Sequence, residues 1–372
     1  MKKRQIITLV LAVTAGVLHA QQDMQLKHLI HVMPDAWYAT AEAQAAVDSI
    51  LKYQFPSGGW TKNHSWQLAP DEREQADRDS ILRAIKSKEG IGATIDNGAT
   101  ITEMAFLAKS YAVTKKKTVR KAFISGVEYL LNAQYDNGGW PQFYPHKPNW
   151  PPGTPYYSDH ITFNDNAIYN VMYLLRELYE DHAPYDQLKL GDNLKARCRK
   201  AFDKGIECIL NCQIRKNGKL TVWCQQHDEF TLQPAKARAY ELPSFTGSHE
   251  TPHLLKLLMS LPEPSERVIE AVSAAVAWLE SHAIKDMRYE NFVNKDGKRD
   301  RRLVHQFGAP LIWARYYDLD TEEPYVCDRD GVKQPALEYI GYERRNGYGW
   351  YNDDPQSVID HYPKWLEKVQ KK

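Results

Sequence analysis

An internal repeat with a period near 80 residues constrains this chain more than any other feature. Tyr53-Gln54-Phe55-Pro56-Ser57-Gly58-Gly59-Trp60 returns as Ala133-Gln134-Tyr135-Asp136-Asn137-Gly138-Gly139-Trp140. A weaker echo, Cys212-Gln213-Ile214-Arg215-Lys216-Asn217-Gly218, leads to Trp223. Trp60 and Trp140 lie 80 residues apart, Trp140 and Trp223 lie 83 apart, and self-similarity at a fixed period means stacked copies of one supersecondary unit. Each copy follows an apolar stretch of helical period, at Ala43 to Tyr53, Ala122 to Ala133 and Ala201 to Cys212. Glycines then end the helix and allow a tight turn.

A second helix fits each interval. Asp96-Asn97-Gly98-Ala99-Thr100 opens the run Ile101, Met104, Leu107, Ala108, Tyr111; Asp165-Asn166-Ala167 opens Ile168, Val171, Met172, Leu174, Leu175; Ser248-His249-Glu250 precedes Leu254, Leu255, Leu257, Leu258. Asp and Ser are favoured at helix starts. Val268 to Leu279 reads as a further helix. Three helix hairpins predict a mainly α fold, an (α/α)3 toroid over about residues 35–285, with short strands and long loops gathered at one mouth to form a cleft. An open solenoid is the competing architecture, but its repeats usually run about 34–47 residues. From about Asp286 the chain turns rich in Tyr, Arg and Asp, which predicts a segment, 286–372, that wraps over the ring.

Composition narrows the function. Hydrophobic residues make up 43% and charged residues 26%, so the chain can build a core and disorder is excluded. With 48 Lys+Arg against 47 Asp+Glu, a nucleic-acid surface is not its main business. Met1-Lys2-Lys3-Arg4, the apolar run Ile6 to Val13 and Leu18-His19-Ala20 have the layout of a secretory leader over 1–20, leaving 21–372 as the mature chain. Export, to the periplasm or the medium, and no membrane span in the mature part are expected, as is a monomer. The five cysteines are Cys198, Cys208, Cys212, Cys224 and Cys327. Their odd number leaves at least one unpaired. A bridge from Cys208 or Cys212 to Cys224 is conceivable.

The repeat singles out Asp96 and Asp165 as equivalent carboxylates at the same mouth. Plain N-capping, worth about 1 kcal/mol each, explains either one alone. Two carboxylates beside Asn carbonyls also suit calcium, which takes oxygen ligands, or the acid and base of a glycosidase. A second cluster is Pro234-Ala235-Lys236-Ala237-Arg238-Ala239-Tyr240-Glu241. On an extended backbone Lys236 and Arg238 point the same way, and the alanines leave room for an anionic ligand. Other signals are weaker. His160, His227 and His305 lack the spacing of a zinc helix, the repeated Trp residues serve either packing or the mouth, and Arg315 has Asp318 close by to pair with.

These stretches resemble pectate lyases of polysaccharide lyase family 10. The resemblance runs through Phe55-Pro56-Ser57-Gly58-Gly59-Trp60-Thr61-Lys62-Asn63, Thr94-Ile95-Asp96-Asn97-Gly98-Ala99-Thr100, Gly138-Gly139-Trp140-Pro141-Gln142, Ile161-Thr162-Phe163-Asn164-Asp165-Asn166-Ala167, Trp223-Cys224-Gln225-Gln226-His227-Asp228, Ala237-Arg238-Ala239-Tyr240-Glu241-Leu242-Pro243, Trp313-Ala314-Arg315-Tyr316-Tyr317-Asp318-Leu319 and Asp328-Arg329-Asp330-Gly331. Eight motifs in order span nearly all of the mature chain. The resemblance implies an α/α toroid, calcium (Ca2+) as cofactor, β-elimination, and polygalacturonate (de-esterified pectin) as substrate. It matches Arg238 to the catalytic base, Asp165 to the calcium-holding carboxylate and Asp96 to a further acidic residue acting through calcium or substrate. It also makes Lys62, Asn97, Lys236 and Arg329 substrate contacts. His249 and the loop from Lys147 to Tyr157 are where a change of subsite is expected. Two alternatives stay open: a glycoside hydrolase on the same ring, and a carbohydrate-binding protein without turnover.

Overall fold

The computed structural model describes residues 26–62, 72–87, 92–145 and 157–371. The expected leader, Asn63 and most of the Lys147–Tyr157 loop lie outside them. Helices dominate: α1 (Leu26–Val32), α2 (Ala41–Lys52), α3 (Glu72–Lys86), α4 (Ile101–Thr114), α5 (Lys117–Ala133), α6 (Ala167–Tyr179), α7 (Asp192–Cys212), α8 (Glu250–Met259), α9 (Glu266–Ser281), α10 (Tyr342–Gly347) and α11 (Asp354–Gln370). Among the described helices none is long and apolar enough to cross a membrane.

Amphipathic spacing explains why these segments are helical. In α5 the buried residues are Val119, Ala122, Phe123, Gly126, Val127, Tyr129, Leu130 and Ala133; in α9 they include Val268, Ala271, Val272, Ala275, Val276 and Leu279. Both follow the i, i+3, i+4, i+7 rule that gathers apolar groups into one stripe. Thr40 caps α2 by accepting from the Ala43 amide at 3.3 Å, and Ser265 caps α9 by accepting from Val268 at 3.4 Å. The mainly α class expected from the periodicity is therefore what forms.

Cα packing divides the described residues into two compact units, one drawn from 26–133, 143–145 and 176–198, the other from 134–142, 157–175 and 199–371. In the first, α4 packs on α5 and on α2. In the second, α8, α9 and α11 pack on one another, and the tail from 286 on supplies strands rather than helices alone. The hairpin of β1 (Met287–Val293) and β2 (Arg299–His305) pairs over seven positions. Next come β3 (Trp313–Ala314), β4 (Tyr316–Asp318) and β5 (Pro324–Cys327). Strand β4 also pairs with Ser244–Thr246 of the third repeat, Phe245 opposite Tyr317. The tail is thus hydrogen-bonded into the repeat it follows.

The repeat has a physical identity finer than its glycines. Gln54, Gln134 and Gln213 each send one side-chain amide to the carbonyl of a helix in the next repeat, Ala122, Ala201 and Ala271, all at 2.8 Å. The same nitrogens return to the Gly58, Gly138 and Thr221 carbonyls at 2.7, 3.0 and 2.8 Å. Gly58 and Gly138 take positive φ, 103° and 90°, and a Cβ there would run into the carbonyl of Ser125 or Lys204, so only glycine fits. The Trp residues are packing. Trp60, Trp140 and Trp223 are buried, and Trp60 and Trp223 donate to the Ile50 and Ile209 carbonyls at 2.8 and 2.7 Å. Trp313 makes the same kind of bond to Leu279, at 2.7 Å, a fourth copy that the sequence pattern missed.

Candidate active site

A backbone clasp sets up the site in each repeat. The amides of Thr94, Thr162 and Thr246 donate to the carbonyls of Trp60, Trp140 and Trp223 at 2.9, 3.0 and 2.8 Å. Two residues past the first two clasps the chain makes one tight 3-10 turn, Asp96–Gly98 in the first repeat and Asn164–Asn166 in the second. The middle residue of each is left-handed: Asn97 at φ 54°, ψ 20° and Asp165 at φ 51°, ψ 31°. Such a conformation costs a non-glycine residue on the order of 1–3 kcal/mol and concentrates at functional sites.

This geometry corrects two expectations. Asp96 and Asp165 are not equivalent, because Asp96 aligns with Asn164 at the buried first position and Asp165 aligns with the exposed Asn97 at the second. Nor are they helix caps. Helix α4 starts at Ile101 behind Thr100, and neither turn has a side-chain cap bond.

The Asp165 carboxylate is instead held from behind. Its Oδ1 accepts from an Arg315 terminal nitrogen at 3.0 Å and its Oδ2 from Asn164 Nδ2 at 2.7 Å. The same Arg315 nitrogen donates to Asn164 Oδ1 at 3.0 Å and to Glu250 Oε1 at 2.6 Å. Glu250 Oε1 also accepts from the Asp165 amide at 3.3 Å. Side-chain exposure is 3% for Arg315, nil for Glu250 and 25% for Asp165, so of the three only Asp165 reaches solvent. Burial alone would raise the Asp165 pKa. The charge and hydrogen bond of Arg315 outweigh it, helped by Arg238 and His249, and hold the carboxyl below its ordinary value. Arg315 does not pair with Asp318 as its proximity suggested; Lys333 takes that partner. Arg315 lies between β3 and β4, its amide on the Trp350 carbonyl and its carbonyl accepting from Gly247, so the tail strands aim it at the third repeat.

Arg238 is gripped by Glu241. Its Nε donates to Glu241 Oε2 at 2.8 Å, its terminal nitrogen to Oε1, and its backbone amide to Oε2 at 3.2 Å. Burial pushes the guanidinium toward losing its proton, but the fully buried Glu241 carboxylate prevails and its pKa rises. Arg238, Arg329 and Arg344 all stand over the Tyr240 ring, at 5.1, 5.8 and 4.1 Å from its centroid, a cation–π cluster. Arg329 is well exposed and reaches Glu343 at 3.3 Å through two nitrogens. Lys236 is exposed beside buried Ala235 and Ala237, in a segment without regular secondary structure.

In the first unit Lys62 pairs with Asp96, whose side chain is 1% exposed and whose Oδ1 accepts from the Asn97 amide at 3.1 Å. Two residues expected separately thus form one ion pair. His227 is structural. Its Nδ1 donates to the Leu232 carbonyl at 2.8 Å, its Nε2 accepts from the Cys224 amide at 3.1 Å, and burial lowers its pKa to about 4. All five cysteines are free and buried, so the conceivable bridge to Cys224 is absent. His160, Asp228 and Glu229 bring donor atoms within 4.8 Å of one another, His160 Nδ1 already 2.8 Å from Glu229 Oε2.

Asp165 fits an oxygen-seeking cation. Each of its oxygens accepts one hydrogen bond and keeps lone-pair capacity, the side chain is open to solvent, and Asp165 with Glu250 and Arg315 carries one surplus negative charge. Sequence reasoning missed Glu250 and the true partner of Arg315, since both act across 65 to 150 residues of chain.

The chain matches the family model described as Pectic acid lyase over residues 39–359. It is similar to the family 10 polysaccharide lyase from Cellvibrio cellulosa at 35% identity and a TM-score of 0.71, covering 89% of this chain and 94% of that one. An aspartate-to-alanine mutant of a family 10 lyase from the same organism, in complex with trigalacturonic acid, matches at 34% identity and a TM-score of 0.72, covering 89% and 95%. No match was found among curated proteins.

Proposed function

The chain belongs to the pectic acid lyases, within polysaccharide lyase family 10, and on that premise we propose that it cleaves de-esterified polygalacturonate by calcium-dependent anti β-elimination. The observation that carries this reading is Asp165: an ionised carboxylate on a left-handed turn, solvent-open in front and backed by a buried Arg315–Glu250 pair. The relative with trigalacturonic acid bound supports the substrate class.

In the proposed reaction the C5 proton beside the uronate carboxylate is removed, its electron pair forms the C4–C5 double bond, and the C4–O4 bond breaks. The departing O4 takes a proton from solvent, and no water is consumed. Calcium, when bound, would neutralise the uronate carboxylate and the charge that develops on it. Asp165 is the protein group to hold it, with Asp96 as the further acidic residue of the site. Lys62, Asn97, Lys236 and Arg329 are the proposed substrate contacts. Arg238 is the proposed catalytic residue for the proton removal. Its pairing with Glu241 supports a guanidinium that remains charged and stabilises the developing anion, with hydroxide taking the proton, over a guanidine acting as base. We infer from the leader pattern that the protein is exported, which is tested by whether the secreted chain begins near Gln21.

The test is ultraviolet absorbance of the unsaturated product on polygalacturonate, with and without a calcium chelator. Growth abolished by chelation is expected; new reducing ends without absorbance would mean hydrolysis instead. Arg238→Ala should remove activity by about a hundredfold or more, and the rate should keep rising into alkaline pH. An acidic optimum would overturn the hydroxide step.

A further inference from the structure

The charge behind Asp165 has one member too many for simple support. Arg315 alone would suffice to hold the Asp165 carboxylate, and the two would be electrically neutral. The fold instead places a second carboxylate, Glu250, against the same Arg315 nitrogen at 2.6 Å, closer than Asp165 at 3.0 Å. Glu250 is fully buried, and among the described residues its Oε2 has no hydrogen-bond partner; nor does Arg315 Nε. Burying a second carboxylate with an unsatisfied oxygen is expensive, so its retention calls for a reason beyond packing. Other charges nearby do not supply one. Arg238 is matched by Glu241, and burial keeps the His249 imidazole toward its neutral form.

We propose that Glu250 is a positioning residue for the cation site: by occupying Arg315 it prevents that arginine from neutralising Asp165, and through the Asp165 amide it fixes the left-handed turn that turns the carboxylate outward. Arg315 then acts as a hinge pin between two carboxylates. The inference rests on the calcium-dependent reading above. It assigns Glu250 no contact with substrate.

The experiment is calorimetric titration of trigalacturonate into the full chain over a series of calcium concentrations. The wild type should bind more tightly as calcium rises. Glu250→Gln keeps length and shape but lets Arg315 claim Asp165, and should raise the half-effective calcium concentration about tenfold or more. The double variant Glu250→Gln with Arg315→Gln removes both buried charges, leaves no unpaired one in the core should the single variant unfold, and should return the calcium requirement toward the wild-type value. A purely structural role predicts the opposite, a loss in the double variant at least as large as in the single one, and that result overturns the proposal. An unchanged calcium requirement in Glu250→Gln overturns it as well. A wild type whose binding ignores calcium overturns the metal reading itself, and this inference with it.

Discussion

In the first repeat the carboxylate sits on the inner corner of the 3-10 turn; in the second it sits on the outer one. Asp96–Gly98 and Asn164–Asn166 share a clasp, a turn and a left-handed middle residue. Yet Asp96 is sealed against Lys62, while Asp165 stands a quarter exposed in front of Arg315. One residue of register decides whether a negative charge braces the turn or is displayed by it. Both middle residues are left-handed, so that conformation alone does not mark the proposed reactive position. What marks it is a charged side chain at the outward corner with a buried counter-charge behind.

That contrast breaks most sharply if the carboxylate is moved without changing composition. Asn164→Asp combined with Asp165→Asn puts the second repeat's charge where the first repeat keeps its own. Lyase activity should fall about a thousandfold, as far as in Asp165→Asn alone, while circular dichroism stays native. A swap that retains activity would mean that the net charge of the turn matters and its corner does not. Asp96→Asn comes next. A bracing residue that acts through Lys62 and the turn should cost about ten- to a hundredfold in kcat/KM; a loss equal to that expected at Asp165 would mean that the inner corner serves the proposed cation site as well.

An effect on stability, with none expected on the chemistry, separates the foundations of the two turns. The second rests on the pairing of Ile161 with His227, and the Phe163 and Asn164 amides both donate to Gln225. His227 is neutral in the fold, both ring nitrogens engaged, with its pKa lowered to about 4. Between pH 6.5 and about 4 the unfolded chain therefore binds a proton that the folded chain refuses, so stability is full above that window and falls as pH drops through it. At about 1.4 kcal/mol per pH unit the loss reaches roughly 3 kcal/mol. Denaturant unfolding at pH 7 and pH 4.5, repeated on His227→Gln, should show this component in the wild type and lose it in the variant.

Much of the fold was legible because its signals are local. Helical periodicity and the Gly-Gly-Trp turn gave the hairpins to within a few residues, and Gln54, Gln134 and Gln213 were visible in the repeat although their bond to the next helix was not. The site was only half legible. Matching the repeats on their Asp-Asn pairs aligned Asp96 with Asp165, since aspartate is the more conspicuous letter. The true register follows Thr94 and Thr162, whose main-chain bonds to Trp60 and Trp140 leave no compositional trace. Arg315 was read toward Asp318, three residues away, while its partners lie 65 and 150 residues off. Glu250 looked like the first turn of a helix, and only tertiary packing reveals it as a buried counter-charge.

The clasp from threonine to tryptophan has a consequence for the segments it encloses. It ties the two ends of the intervening segment together, at Trp60 with Thr94, Trp140 with Thr162 and Trp223 with Thr246. The enclosed stretches differ in length, the first being longer by about half than the other two, yet the turns that follow the first two keep one shape. Because loop closure grows only slowly more costly with length, adding or removing a few residues between tryptophan and threonine should leave the clasp, and the turn that follows it, in place.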